Sequence, residues 1–191
     1  MTSGPAPAPA QLPAGATAAG DGIVIGTGPV VVEAYVDFLC PYCRQFELSA
    51  GATLAGLAAD GRVSLVYHPM SFLDEASTTR YSSRAGAAAG CASDGGRFRE
   101  YVEVLFASQP PEGGPGLPDE ELIELGTSVG LDQAEFGACV REGQYLAWPP
   151  YVTAMAVAAG VSSTPTVLVD GTPVEPDGGG IAAAVAAARA M

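Results

Sequence analysis

Cys40 and Cys43, separated by Pro41 and Tyr42, are the residues of this chain best placed to do chemistry. A dithiol at this spacing closes to a disulfide, and exchange starts from a thiolate rather than a thiol. The flanking residues favour the thiolate. The β-branched and aromatic run of residues 30–38 reads as a buried strand, and Pro41 suits the first turn of a helix, where its missing N–H costs no bond. Cys40 therefore falls at a helix N-terminus, where unpaired N–H groups and the macrodipole favour negative charge. Cys43 lies one turn further in and is less exposed. The plainer alternatives are a zinc site or an inert buried pair. Zinc needs four ligands, and Cys91, Cys139 and the single His68 form no second knuckle. His68 ends a strand and is read as a residue held by local hydrogen bonds.

The elements that must position the pair follow from pattern. Residues 22–26 form a short strand, 30–38 the next, 41–59 a helix stopped by Asp60-Gly61, and 62–67 a third strand, together a β-α-β unit with parallel pairing. Helical spacing then runs over 76–93, 98–107, 118–130 and 131–142. Trp148-Pro149-Pro150 is expected to interrupt before a helix over 151–159. A loop from 161 leads to a strand, an Asp170-Gly171 turn and a second strand. Gly178-Gly179-Gly180 is expected to break the chain before a terminal helix over 181–191. Residues 1–21 are largely Ala, Pro and Gly and are expected to form a disordered tail or tether. The domains expected are a unit of residues 22–70 and 161–191, with a helical insertion of residues 71–160.

The 191 residues suffice for one substantial core with an insertion. A net charge of −13 argues against nucleic acid or an anionic membrane surface as partner. Four cysteines are consistent with two disulfides and an oxidising compartment. The first 20 residues lack a basic segment followed by an apolar core, so the expectation is an extracytoplasmic protein whose export signal or anchor is absent from this chain, with a cytoplasmic protein as the alternative.

Cys40-Pro41-Tyr42-Cys43 after a hydrophobic strand, and Gly160-Val161-Ser162-Ser163-Thr164-Pro165-Thr166 before the Asp170-Gly171 hairpin, resemble the thioredoxin-fold thiol–disulfide oxidoreductases. The helical stretch between them resembles the DsbA-like branch, over residues 22–191. The resemblance implies an α/β thioredoxin fold with an inserted all-helical subdomain. It implies that Cys40 attacks, Cys43 resolves, Pro41 and Tyr42 set the redox poise, and Thr164 with a cis Pro165 binds substrate. An ordinary trans proline is the alternative at Pro165. It also implies a structural disulfide between Cys91 and Cys139, for which two buried free thiols are the alternative. In many such proteins a buried carboxylate stands six residues before the first cysteine, where this chain has Ala34. Glu33 and Asp37, on the opposite strand face by period-two alternation, are expected to be solvated or paired with Arg44 or Arg62, unless a bulge brings Asp37 to the site.

The function expected is thiol–disulfide oxidoreduction in exported proteins through a mixed disulfide, with no cofactor and no metal, by a monomer. By resemblance, the partners are cysteine-containing proteins and a membrane quinone-linked redox protein. The competing readings are a redox-inactive peptide-binding or chaperone module, and a reductase, isomerase or glutathione-linked enzyme on the same fold.

Overall fold

A computed structural model of the chain describes residues 7–190. Three strands form first: β1 (Ile23–Ile25), β2 (Val30–Val36) and β3 (Val63–Pro69), with α1 (Pro41–Ala59) between the last two. Five helices follow: α2 (Tyr81–Asp94), α3 (Phe98–Ala107), α4 (Asp119–Ser128), α5 (Gln133–Glu142) and α6 (Trp148–Ala158). The chain closes with β4 (Thr166–Val169), β5 (Thr172–Val174) and α7 (Gly178–Arg189). The sheet order is β1-β3-β2-β4-β5, with β2 parallel to β3 and the other pairs antiparallel. β3 is buried without a break from Leu65 to Pro69, so both faces of the sheet are covered there. This is the thioredoxin fold with helices α2–α6 entering between β3 and β4.

β4 and β5 pair Val169 with Thr172 across a two-residue loop, Asp170 and Gly171, both with positive φ (46° and 78°). Mirror-type hairpin turns require that conformation, which is why Asp-Gly marks one. The Asp170 carboxylate accepts from Val31 N–H at 2.8 Å and ties the turn to β2.

Four expectations are corrected. Of the tail expected over residues 1–21, residues 1–6 lie outside the described residues, and residues 13–21 are packed rather than forming a tail. Trp148 Nε1–H donates to Gly20 O (2.8 Å), Tyr151 O–H to Ala19 O (2.7 Å), and Ala14 N–H to the Asp94 carboxylate (2.8 Å). The segment has few apolar side chains of its own, but its backbone satisfies polar groups of α2 and α6. The second correction is at Trp148-Pro149-Pro150, which opens α6 instead of interrupting, because first-turn positions need no N–H partner. The three glycines likewise open α7, capped by Asp177, whose side chain accepts from Gly180 N–H at 2.7 Å. A Cβ at Gly178 would meet Thr53 Oγ1 at 2.9 Å, so the close approach of α7 to α1 accounts for glycine there. Last, α2 starts only at Tyr81, after a single 3-10 turn at Asp74–Ala76 and a left-handed Arg80 (φ 55°).

Candidate active site

Cys40 caps α1 in extended conformation (φ −74°, ψ 119°), and its carbonyl accepts from the N–H groups of Cys43 (3.1 Å) and Arg44 (3.2 Å). Pro41 occupies the first helical position. Both thiols are free, Cys43 is fully buried, and Tyr42 stands out at 69 % exposure. Cys40 is itself buried at 6 % exposure, so one turn of helix holds both sulfurs, with Cys40 the outer of the two.

Their surroundings push the two thiols apart. The hydrogen bond from the Cys43 thiol brings Cys40 down from 9.0 to about 6 against the opposing effect of burial, with the Cys43 and Tyr42 N–H groups and the Thr164 side chain acting in the same direction. Cys43 is driven far above the usual thiol range, first by burial and then by its hydrogen bond to Cys40 and the Cys40 charge. The arrangement favours a thiolate at Cys40 and a thiol at Cys43.

The loop before β4 completes the site. The Thr164–Pro165 peptide is cis, and the Cys40 thiol donates to Thr164 O at 3.5 Å. Two clefts flank this contact. One, of about 600 Å³, is lined by Cys40, Tyr42, Phe72, Leu73, Glu112 and Thr164; the other, of about 440 Å³, by Tyr42, Phe46, Thr164, Pro165 and Pro176. Cys40, Pro41, Tyr42, Cys43, Thr164 and Pro165 are therefore one constellation. Cys91 and Cys139 lie outside it, bonded to each other between α2 and α5. Among the described residues no group of three or more His, Cys, Asp or Glu side chains could hold a metal ion.

Asp37 departs from expectation. It is neither solvated nor paired with Arg44 or Arg62 but fully buried. Its Oδ1 accepts from Leu39 N–H (2.9 Å) and Ser82 Oγ–H (2.6 Å), and its Oδ2 from Leu73 N–H (3.0 Å). Its own N–H donates to Cys43 Sγ at 3.4 Å. β2 ends at Val36, so strand alternation no longer applies at Asp37, and the turn aims the side chain inward. Burial raises its carboxyl from 3.8 to about 6, against the hydrogen bonds from Ser82, Leu39 and Leu73. Gln109, between α3 and α4, was also missed: its Nε2 donates to Phe38 O and Cys40 O, both at 2.9 Å. A signal for Asp37 was present, a carboxylate three residues before the first cysteine in the turn; Gln109 carries none, because only tertiary structure brings it there. Glu33 instead faces His68, with Oε1 3.4 Å from Nε2. His68 Nδ1–H donates to Asp21 O (2.6 Å) and its ring stacks on Tyr35, away from the sulfurs.

The fold and the thiol pair define a thioredoxin-fold dithiol protein with a helical insertion. A family model described as Thioredoxin matches residues 18–179, and the chain belongs to that family. Among solved structures it is similar to the disulfide bond oxidoreductase DsbG from Mycobacterium tuberculosis (37 % identity, TM-score 0.72, covering 82 % of this chain and 81 % of that one). It is also similar to DsbA from the same organism (35 % identity, TM-score 0.71, 88 % and 99 %). These relatives place it among the DsbA-like thiol–disulfide oxidoreductases. Among curated proteins it is 29 % identical over 153 residues to the serine/threonine-protein kinase PknE of M. tuberculosis, covering 75 % of this chain. The chain spans about a quarter (26 %) of the length of that relative.

Proposed function

We propose that the protein runs thiol–disulfide exchange in the oxidising direction, inserting disulfides into cysteine-containing proteins outside the cytoplasm. The observation that carries this reading is the placement of the two sulfurs, Cys40 at the N-terminus of α1 beside Thr164 O and Cys43 fully buried behind it, which favours a thiolate at Cys40. A stabilised thiolate favours the reduced protein, which makes the oxidised protein the stronger oxidant.

In the oxidised protein a substrate thiolate attacks Cys40 Sγ. The Cys40–Cys43 bond breaks, and its electron pair leaves on Cys43, whose sulfur receives the Asp37 N–H and then a proton from solvent. The substrate's second thiolate then attacks its own sulfur in the mixed disulfide and expels Cys40 as thiolate. The substrate has lost two electrons and two protons, and the protein is left reduced. Thr164 O, beside Cys40, and the flanking clefts suit an extended peptide; Pro41 and Tyr42 set the poise from within the turn. Turnover requires an oxidant to restore the disulfide, and a membrane quinone-linked protein is the partner proposed, with the oxidoreductase acting as a monomer. The Cys91–Cys139 bridge supports an extracytoplasmic site of action, since such bonds persist where the surroundings are oxidising.

Equilibration with glutathione redox buffers tests the direction. A reduction potential well above the roughly −270 mV of a thioredoxin is expected. A value near that figure would make the protein a reductase, and failure to cycle would leave a peptide-binding module.

A further inference from the structure

Gln109 is half-buried in the loop between α3 and α4, 69 residues along the chain from Cys40. Its side-chain nitrogen makes two hydrogen bonds of 2.9 Å, both to backbone carbonyls of the turn that carries the attacking sulfur, Phe38 O and Cys40 O. Two carbonyls can be served only by the NH₂ end of the amide, so the orientation of the group is determined by its partners. The Cys40 carbonyl is also the first acceptor of α1, taking the N–H groups of Cys43 and Arg44. Gln109 therefore grips the Phe38–Leu39 and Cys40–Pro41 peptide planes, the second of which carries the carbonyl from which the helix begins.

We propose that Gln109 is a positioning residue for the redox chemistry, through which the helical insertion sets the thiolate character of Cys40. The inference rests on the oxidoreductase reading above. The Cys40 sulfur stands at the N-terminus of α1, where first-turn N–H groups, those of Cys43 and Tyr42 among them, lower its pKa. From the other side the turn is held by Asp37, which takes Leu39 N–H and reaches α2 through Ser82. Asp37 thus fixes the donor of Leu39, and Gln109 fixes the carbonyls of its neighbours, Phe38 and Cys40. With Gln109 gone, Phe38 O loses its Gln109 donor and Cys40 O keeps only the N–H groups of Cys43 and Arg44, so the turn is free to shift against the first turn of α1. Such a shift would move the Cys40 sulfur relative to the helix N-terminus that favours its thiolate. The oxidised form has no thiolate to lose, so the effect falls on the reduced form alone.

The test compares wild type with Gln109→Met, which keeps length and removes both donors, and with Gln109→Ala. The measurements are the Cys40 pKa from thiolate absorbance, the equilibrium constant with glutathione, and the melting temperature of each redox form. Both variants are expected to raise the Cys40 pKa by roughly one unit and to make the protein about fivefold less oxidising against glutathione at pH 7, about 20 mV. A folded variant with unchanged pKa and equilibrium constant would overturn the proposal, as would loss of the fold in both variants, which would make Gln109 a folding residue only. Wild type that does not equilibrate with glutathione at all would instead overturn the oxidoreductase reading, a result visible before any variant is made.

Discussion

The backbone N–H of Asp37 points at Cys43 Sγ from 3.4 Å while its fully buried carboxylate binds Leu39, Leu73 and Ser82, so one residue touches the inner sulfur and pins the turn to the helical insertion. The carboxylate meets three donors and no cation, which leaves burial to set its titration.

Opposite pH dependences follow for the reduced protein. Asp37 has a folded value of about 6 against 3.8. The folded state binds that proton more tightly, so stability falls as pH rises from about 4 to about 6, by up to about 3 kcal/mol. Cys40, lowered from 9.0 to about 6, works the other way, and stability rises as pH climbs between those values. Urea unfolding at a series of pH values is expected to show a minimum near pH 6 in the reduced protein. Cys40→Ser should keep the falling arm and lose the rising one, and Asp37→Asn should flatten the falling arm.

The Cys91–Cys139 bridge closes a sequence separation of 48 residues within the insertion. In the chain-entropy account a loop of this length stabilises by about 4 kcal/mol. The double variant Cys91→Ala, Cys139→Ala is expected to lose stability of this order in chemical denaturation while the Cys40–Cys43 potential stays at its wild-type value. A shift in that potential would mean that the bridge also shapes the site.

Removing residues 2–21 is expected to destabilise the protein, because Trp148 Nε1 and Tyr151 Oη would lose Gly20 O and Ala19 O as acceptors. Each buried donor left unpaired costs about 1–3 kcal/mol. A lower melting temperature with a changed Trp148 fluorescence would be the readout, and an unchanged melting temperature would count against this packing.

Glu112 lies on the lip of the larger cleft beside Cys40, in a chain of net charge −13. Peptides with Arg next to the reacting cysteine are expected to be oxidised faster than peptides with Asp there, by roughly threefold at low salt. Glu112→Gln should reduce that preference, and added salt should shrink it in wild type.

Local signals made much of this molecule legible in advance. The strand–Cys-x-x-Cys–helix run, the helical spacing from Phe98 to Ala107 and the Asp170-Gly171 turn each depend on neighbours in sequence, and the structure has them at α1, α3 and the β4–β5 hairpin. What escaped depends on distant partners. Residues 13–21 order because Trp148 and Tyr151 reach their carbonyls from more than 120 positions away. Asp37 turns inward because β2 stops one residue earlier and α2 supplies Ser82. Gln109 meets the redox turn only once the insertion has folded over it.

The most direct test of the account is the ultraviolet absorbance of the thiolate across pH in the reduced protein, with Cys40→Ser as control. One midpoint near 6, lost in Cys40→Ser and followed by no second ionisation up to neutral pH, is the result predicted. A midpoint near 9.0, the ordinary thiol value, or one near 6 that survives in Cys40→Ser, would contradict the assignment of Cys40 as the stabilised, attacking thiolate.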